Sequence, residues 1–178
     1  MSESTVAFRY AKSLISLAQE QNLVDEVYQD MTFFKQTADN NRDLMLALRS
    51  PIIRNEKKQS MLKAIFKPHV NPVSYSIFDI ITKKSRESIM YAIADEFIRQ
   101  YNDLKGIQKA QVITTQPLTD ELRKQFTNMV AKATGKTVQL EESVDPKLIG
   151  GYVLRIGDRQ VDASIRSQLN DLRLSFMN

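Results

Sequence analysis

The hydrophobic period of the chain changes once, at Gly106, and that change orders the whole architecture. Upstream, apolar residues recur at three- and four-residue intervals, so they share one side of a helix that turns 3.6 residues at a time. Downstream, β-branched residues partly alternate with polar ones, as on a strand with one buried face. A chain of 178 residues has room for two such regions, each with its own core. The predicted fold class is therefore α plus α/β. A six-helix bundle is expected over residues 1–105, followed by a small α/β domain over residues 106–178.

The first helical stripe is Val6, Tyr10, Leu14, Leu17 and Ala18, with Ser4 or Thr5 able to cap it. The second is Val24, Val27, Tyr28, Met31 and Phe34, with Asp25 and Glu26 in a first turn that favours negative charge. A short third helix over Leu44–Leu48 stops before Ser50-Pro51, because a residue preceding proline is pushed out of the α region. Asn55 can cap a fourth, carrying Met61, Leu62, Ile65 and Phe66. Asn71-Pro72 opens a fifth, since proline at the first helical position loses no hydrogen bond. Its stripe is Val73, Ile77, Ile80 and Ile81. A sixth carries Ile89, Ile93, Phe97, Tyr101 and Leu104 and ends at Gly106, a left-handed cap.

Beyond Gly106 the pattern reads β-α-β-β-β-α. Thr119 can cap the first helix of this region, which carries Leu122, Phe126, Met129, Val130 and Ala133 and ends at Gly135. The segment from Val144 to Leu172 holds Gly150, Gly151 and Gly157, three of the five glycines. A phosphate-binding loop needs a strand, a Gly-x4-Gly-Lys-Ser/Thr turn and a helix. Here Gly150-Gly151 leads into a strand, Gly157-Asp158 lies between two strands, and no Lys-Ser/Thr follows either. Asp158 and Asp162 lie four residues apart on one strand face. They invite an acid/base reading, but no histidine is near to assist them. Local geometry offers simpler roles: Asp158 suits a tight turn, and Asp162 or Ser164 can cap a last helix with Ile165, Leu169, Leu172 and Phe176.

Composition removes further classes. There is no cysteine, so thiolate chemistry and disulfides are absent. His69 is the only histidine and sits in a proline-flanked linker, which leaves it solvated and without a zinc partner. The longest apolar run, Val73–Ile81, is far below the ~20 residues of a membrane span. The first residues carry neither a signal nor a transit pattern, which predicts a mature, soluble, cytoplasmic protein. A net charge of +4 permits an acidic partner or nucleic acid. The basic clusters Lys57-Lys58 and Lys83-Lys84-Ser85-Arg86 lack flanking aromatics and read as solvated links, so no nucleic acid is expected. The first and fifth helices are apolar over more than one face. They are either central in the bundle or the walls of a groove for a partner helix, and periodicity leaves both open.

Several stretches carry a resemblance. VAFRYAKSLISLA, LRSPIIRNEKKQSML, QPLTDEL and VDPKLIGGYVLRIGDRQVDASIRSQLNDL resemble the delta subunits of bacterial F-type ATP synthases, the family of the oligomycin-sensitivity-conferring protein. The last stretch looks like the family signature: Gly150, Gly151, Gly157, Asp158, Asp162, Ser164 and Arg166 stand at its marked positions. Ser85 departs from the pattern, which often has glycine there. The resemblance implies a non-catalytic stator subunit with no cofactor and no metal, on the cytoplasmic face of the bacterial plasma membrane. It implies a six-helix domain that binds the N-termini of alpha subunits on the catalytic head. It implies a C-terminal domain that meets the b subunits, with membrane contact only through the complex. It turns the groove reading towards an alpha-subunit helix received by Tyr10, Ser13, Leu14, Leu17, Val73, Ile77 and Ile80.

Overall fold

A computed structural model of the chain describes residues 3–176. Six helices come first: α1 (Glu3–Glu20), α2 (Val24–Asn40), α3 (Arg42–Arg49), α4 (Asn55–Phe66), α5 (Pro72–Lys83) and α6 (Met90–Lys105). Then follow β1 (Ile107–Thr114), α7 (Asp120–Thr134), β2 (Thr137–Val144), β3 (Tyr152–Ile156), β4 (Arg159–Asp162) and α8 (Ile165–Ser175). The described residues are thus mostly helical with one small sheet, an α plus α/β class. Between Asn102 and Asp103 the chain divides into two compact units. No helix among the described residues is long and apolar enough to cross a membrane.

Several helix ends obey local chemistry. The Asn71 side chain accepts from the Val73 amide at 3.0 Å, with Pro72 as the first residue of α5. Thr119 accepts from the Leu122 amide and opens α7. Gly106 and Gly135 close α6 and α7 at φ of 65° and 67°, where a Cβ would be strained. Two expected caps differ. Helix α1 already begins at Glu3, so Ser4 and Thr5 lie inside it. Asn55 is the first residue of α4, not its cap; its side-chain amide instead donates to Ser85 Oγ at 2.7 Å.

The first unit packs around three aromatic rings. Phe34 of α2, Phe66 of α4 and Phe78 of α5 are fully buried, with centroids 5.1, 5.1 and 5.7 Å apart. Such tilted and edge contacts add to the burial energy of each ring. Phe78 lies off the expected α5 stripe, yet the face that α5 turns inward is Ser74, Ile77, Phe78 and Ile81. Helix α1 is likewise rotated from its expected phase. It buries Ala7, Ala11, Leu14, Ile15 and Ala18, and leaves Val6, Tyr10 and Leu17 towards solvent. Between α2 and α6, Tyr101 stacks on Tyr28 at 4.0 Å and donates to Asp25 at 2.7 Å. Burial, then that bond, pushes its phenol up to about 12.

Two buried charges hold helix ends in register. The Asp30 carboxylate of α2 accepts from the Asn71 amide at 2.8 Å and the Ser74 hydroxyl at 2.6 Å, beneath the start of α5. Lys58 corrects the expected solvated cluster: Lys57 is exposed, but Lys58 is buried. Its ammonium donates to the Leu48 carbonyl at 3.0 Å and lies 3.7 Å from Glu87 Oε2, which is also buried. It therefore ties the end of α3 and the start of α6 to α4.

In the second unit the strand order is β2-β1-β3-β4. β1 and β2 are parallel, Ile107 opposite Thr137 through Thr114 opposite Val144, and α7 makes the crossover that parallel pairing requires. β3 runs antiparallel to β1 and to β4. Ala110, Val112, Leu154, Phe126 and Val130 form the core between the sheet and α7. The other face carries a cross-strand row of Glu141, Gln111, Arg155 and Gln160. That row is polar, but the same face also buries Val153 beside its cross-strand partner Ile113.

Replacing Glu87 by alanine would leave the Lys58 ammonium buried without its counter-charge. The expected cost is about 3 kcal/mol of unfolding free energy, read as a lower urea midpoint at unchanged slope.

Candidate functional site

Helices α1 and α5 pack against each other, and the apolar residues they turn outward make a candidate docking groove. Its α1 wall is the stripe Val6, Arg9, Tyr10, Ser13 and Leu17, spaced so that all face one way. Its α5 wall is Val73 and Ile80, with Ile80 45% exposed and Leu17 37% exposed. Tyr10 and Val73 are half-buried, and Ser13 is exposed. The Ser13 hydroxyl donates to the Arg9 carbonyl at 2.9 Å, which spends its proton inside the helix. Leu14 and Ile77 do not belong to this surface. They are 2% and 7% exposed, turned into the core that positions the groove. Val6, placed by the sequence in the α1 stripe but not in the docking set, and Arg9, which the sequence did not single out, share this side with Tyr10 at i, i+3, i+4 spacing.

The link after α5 borders the groove. Ser85 stands at φ of 57°, in the left-handed region that favours glycine. Its hydroxyl accepts from Asn55, which gives the serine a local compensation. Arg86 follows, and its Nη1 donates to Tyr10 Oη at 3.4 Å.

The signature residues of the second unit are architectural. Gly151 has φ of 78°, and a Cβ there would meet the Ala163 carbonyl oxygen at 2.3 Å. No other residue type fits that approach. Gly150 works by space alone: a Cβ would press on Ile165 Cδ1 at 2.5 Å, and its carbonyl accepts from the Ile165 amide at 3.0 Å. Ile149, just before, has φ of 68°, a strained conformation for a β-branched residue that the sequence did not reveal. Gly157 at φ of 56° and Asp158 form the two-residue loop of the β3–β4 hairpin.

Asp162 is not the cap of the last helix; Ser164 is, accepting from the Ser167 amide at 3.2 Å. Asp162 stands behind the cap. It accepts from the Ser164 amide at 2.9 Å and the Ser167 hydroxyl at 2.7 Å. With its carboxylate committed to these bonds, Asp162 does not face Asp158 as half of an acid/base pair. Helix α8 then presents Ile165, Leu169 and Leu172, with Phe176 after it, and buries none of them. Arg166 is exposed beside this stripe and lines an open depression with Leu148, Leu169 and Arg173.

The bond from the Ser164 amide, then those from the serine hydroxyls, hold the Asp162 carboxyl below the usual aspartate range. A depressed pKa contributes stability above the unfolded value of about 4, and that contribution is lost as pH falls through the folded value. The stability gap between the wild type and Asp162→Asn is therefore expected to be full at neutral pH and to close in acid, measured by denaturant melts across pH.

These features match known proteins along the whole chain. The family model described as ATP synthase delta (OSCP) subunit matches residues 6–176. An ATP synthase subunit delta from Cytophaga hutchinsonii is 39% identical over 99% of this chain and 96% of its own length. One from Flavobacterium psychrophilum is 34% identical, with both chains fully covered. A chain in the cryo-EM structure of the Toxoplasma gondii mitochondrial ATP synthase hexamer shares the fold, with a TM-score of 0.77 at 17% identity over 97% of both chains. On the match of sequence over its full described length, the chain belongs to the ATP synthase delta (OSCP) subunit family.

Proposed function

We propose that the chain joins the catalytic head of an F-type ATP synthase to its membrane-anchored stalk, so that the head does not turn with the rotor. As a delta-family member it is a non-catalytic subunit of the peripheral stalk. Residues 1–105 form a six-helix domain for the head, and residues 106–178 a domain for the b subunits. The complex holds the chain at the cytoplasmic face of a bacterial plasma membrane, as a peripheral component.

One observation carries this reading: each unit leaves an apolar helical face that its own fold does not cover. In the first unit this is the α1/α5 groove, with Tyr10, Leu17, Val73 and Ile80. It suits the apolar side of an alpha-subunit N-terminal helix. In the second it is the α8 stripe. Ile165, Leu169, Leu172 and Phe176 are spaced at alternating four and three residues, the seam of a coiled coil, and it suits a helix of the b stalk. Two modest contacts on one chain reinforce each other once the complex is assembled, because each holds the other's partner at high effective concentration.

Titration of the whole chain with an alpha-subunit N-terminal peptide tests the head contact. Saturable one-to-one binding with a negative heat-capacity change is expected, and Tyr10→Ala is expected to weaken it by about 2 kcal/mol, ~30-fold. Unchanged affinity in a folded Tyr10→Ala chain would remove that residue from the contact. For the stalk contact, a chain ending before Ser164 is expected to lose binding to the soluble part of the b subunit. Full binding by that truncated chain would sink the assignment of α8.

A further inference from the structure

Beside its apolar residues, the α1 side of this candidate groove carries charge. Arg9 of α1 and Arg86 of the link after α5 line a cavity of about 240 Å3 together with Val6, Tyr10 and Ser13. Tyr10 and Ser13 are also groove residues, so cavity and groove share a wall. Both guanidiniums are exposed, and among the described residues neither forms an ion pair. The long bond from Arg86 to the Tyr10 hydroxyl is neutral and leaves most of that guanidinium's donors open. Lys83 and Lys84 lie just before Arg86 and Lys12 lies just after Arg9, so the surrounding field is positive. The Asp79 carboxylate on α5 is already held by Lys83 at 2.7 Å, and Glu87 is buried against Lys58.

Two guanidiniums brought to one cavity without a counter-charge repel each other, and an anion between them relieves that repulsion. Their planar forks suit a carboxylate better than they suit any neutral group. We propose that this cavity receives an aspartate or glutamate side chain carried by the helix that docks in the α1/α5 groove. The inference rests on the head-binding reading given above. Its consequence is register. An apolar stripe alone lets a docked helix slide by a turn or lie in the opposite direction. A single charge contact at one fixed place beside that stripe distinguishes those poses.

The test is a double-mutant cycle on the full chain. Wild type, Arg9→Gln, Arg86→Gln and the double variant are titrated with the alpha-subunit N-terminal peptide, and with copies in which one acidic residue at a time becomes its amide. Each arginine variant is expected to bind the unmodified peptide about fivefold more weakly, with a flatter salt dependence. Against one particular amide peptide, wild type and variants are expected to bind alike. Circular dichroism of these exposed-site variants verifies that each remains folded. Unchanged affinity in the variants overturns the proposal, as does an equal loss against every peptide of the amide series. In both cases the groove reading survives, because the wild type still binds. No binding of any peptide by the wild type instead removes the head-binding reading, and this contact with it.

Discussion

The first unit depends on three phenylalanines meeting in one place. Phe34, Phe66 and Phe78 come from three different helices, and burying them fixes the rotation of each helix about its own axis. A ring of this size cannot be turned outward without losing on the order of 2 kcal/mol of burial energy. Once Phe78 points inward, Ile80 must point outward, because residues two apart on a helix face different ways. The groove is therefore a by-product of the core. Asp30 completes this logic by holding the first turn of α5 through a buried carboxylate, so that α5 is set in position as well as in rotation.

What could be read from the sequence was what is decided locally. The switch of period at Gly106, the Asn71-Pro72 start, the Thr119 cap and the Gly135 stop each depend on a few neighbouring residues, and all stand in the structure. The phase of α1 did not follow from the largest side chains. Its inner face combines Leu14 and Ile15 with Ala7, Ala11 and Ala18, small residues that let helices approach closely and that weigh little in a hydrophobic pattern. Lys58 escaped for a different reason: its partner Glu87 is 29 positions away, and a pair of adjacent lysines gives no hint that only one is solvated. The sequence left the last cap open between Asp162 and Ser164 because either residue type can cap, and the backbone at Ser164 decides for it.

The same division runs through the candidate surfaces. Tyr10, Ser13, Leu17, Val73 and Ile80 were expected from the family resemblance together with Leu14 and Ile77, and burial separates the last two from the rest. Arg9 and Arg86 are far apart in sequence, and only the packing of α1 beside the link after α5 brings them to one cavity. A stator contact has to last through many turns of a rotor, so it needs slow release more than catalytic precision. Apolar helix faces supply burial without reactive groups, and charge at the margins chooses the pose.

Helix α8 has only 11 residues and hides none of them. Helices shorter than about 12–15 residues are marginal in water on their own, since nucleation is costly and few bonds follow it. Its Ser164 cap, braced by Asp162, offsets part of that deficit, and no fully buried side chain adds to it. In a chain free of partners, the helix–coil balance of α8 therefore lies much closer to even than that of any helix around the phenylalanine core. Its backbone amides should be among the first to exchange their hydrogens with solvent, long before the rest of the molecule opens.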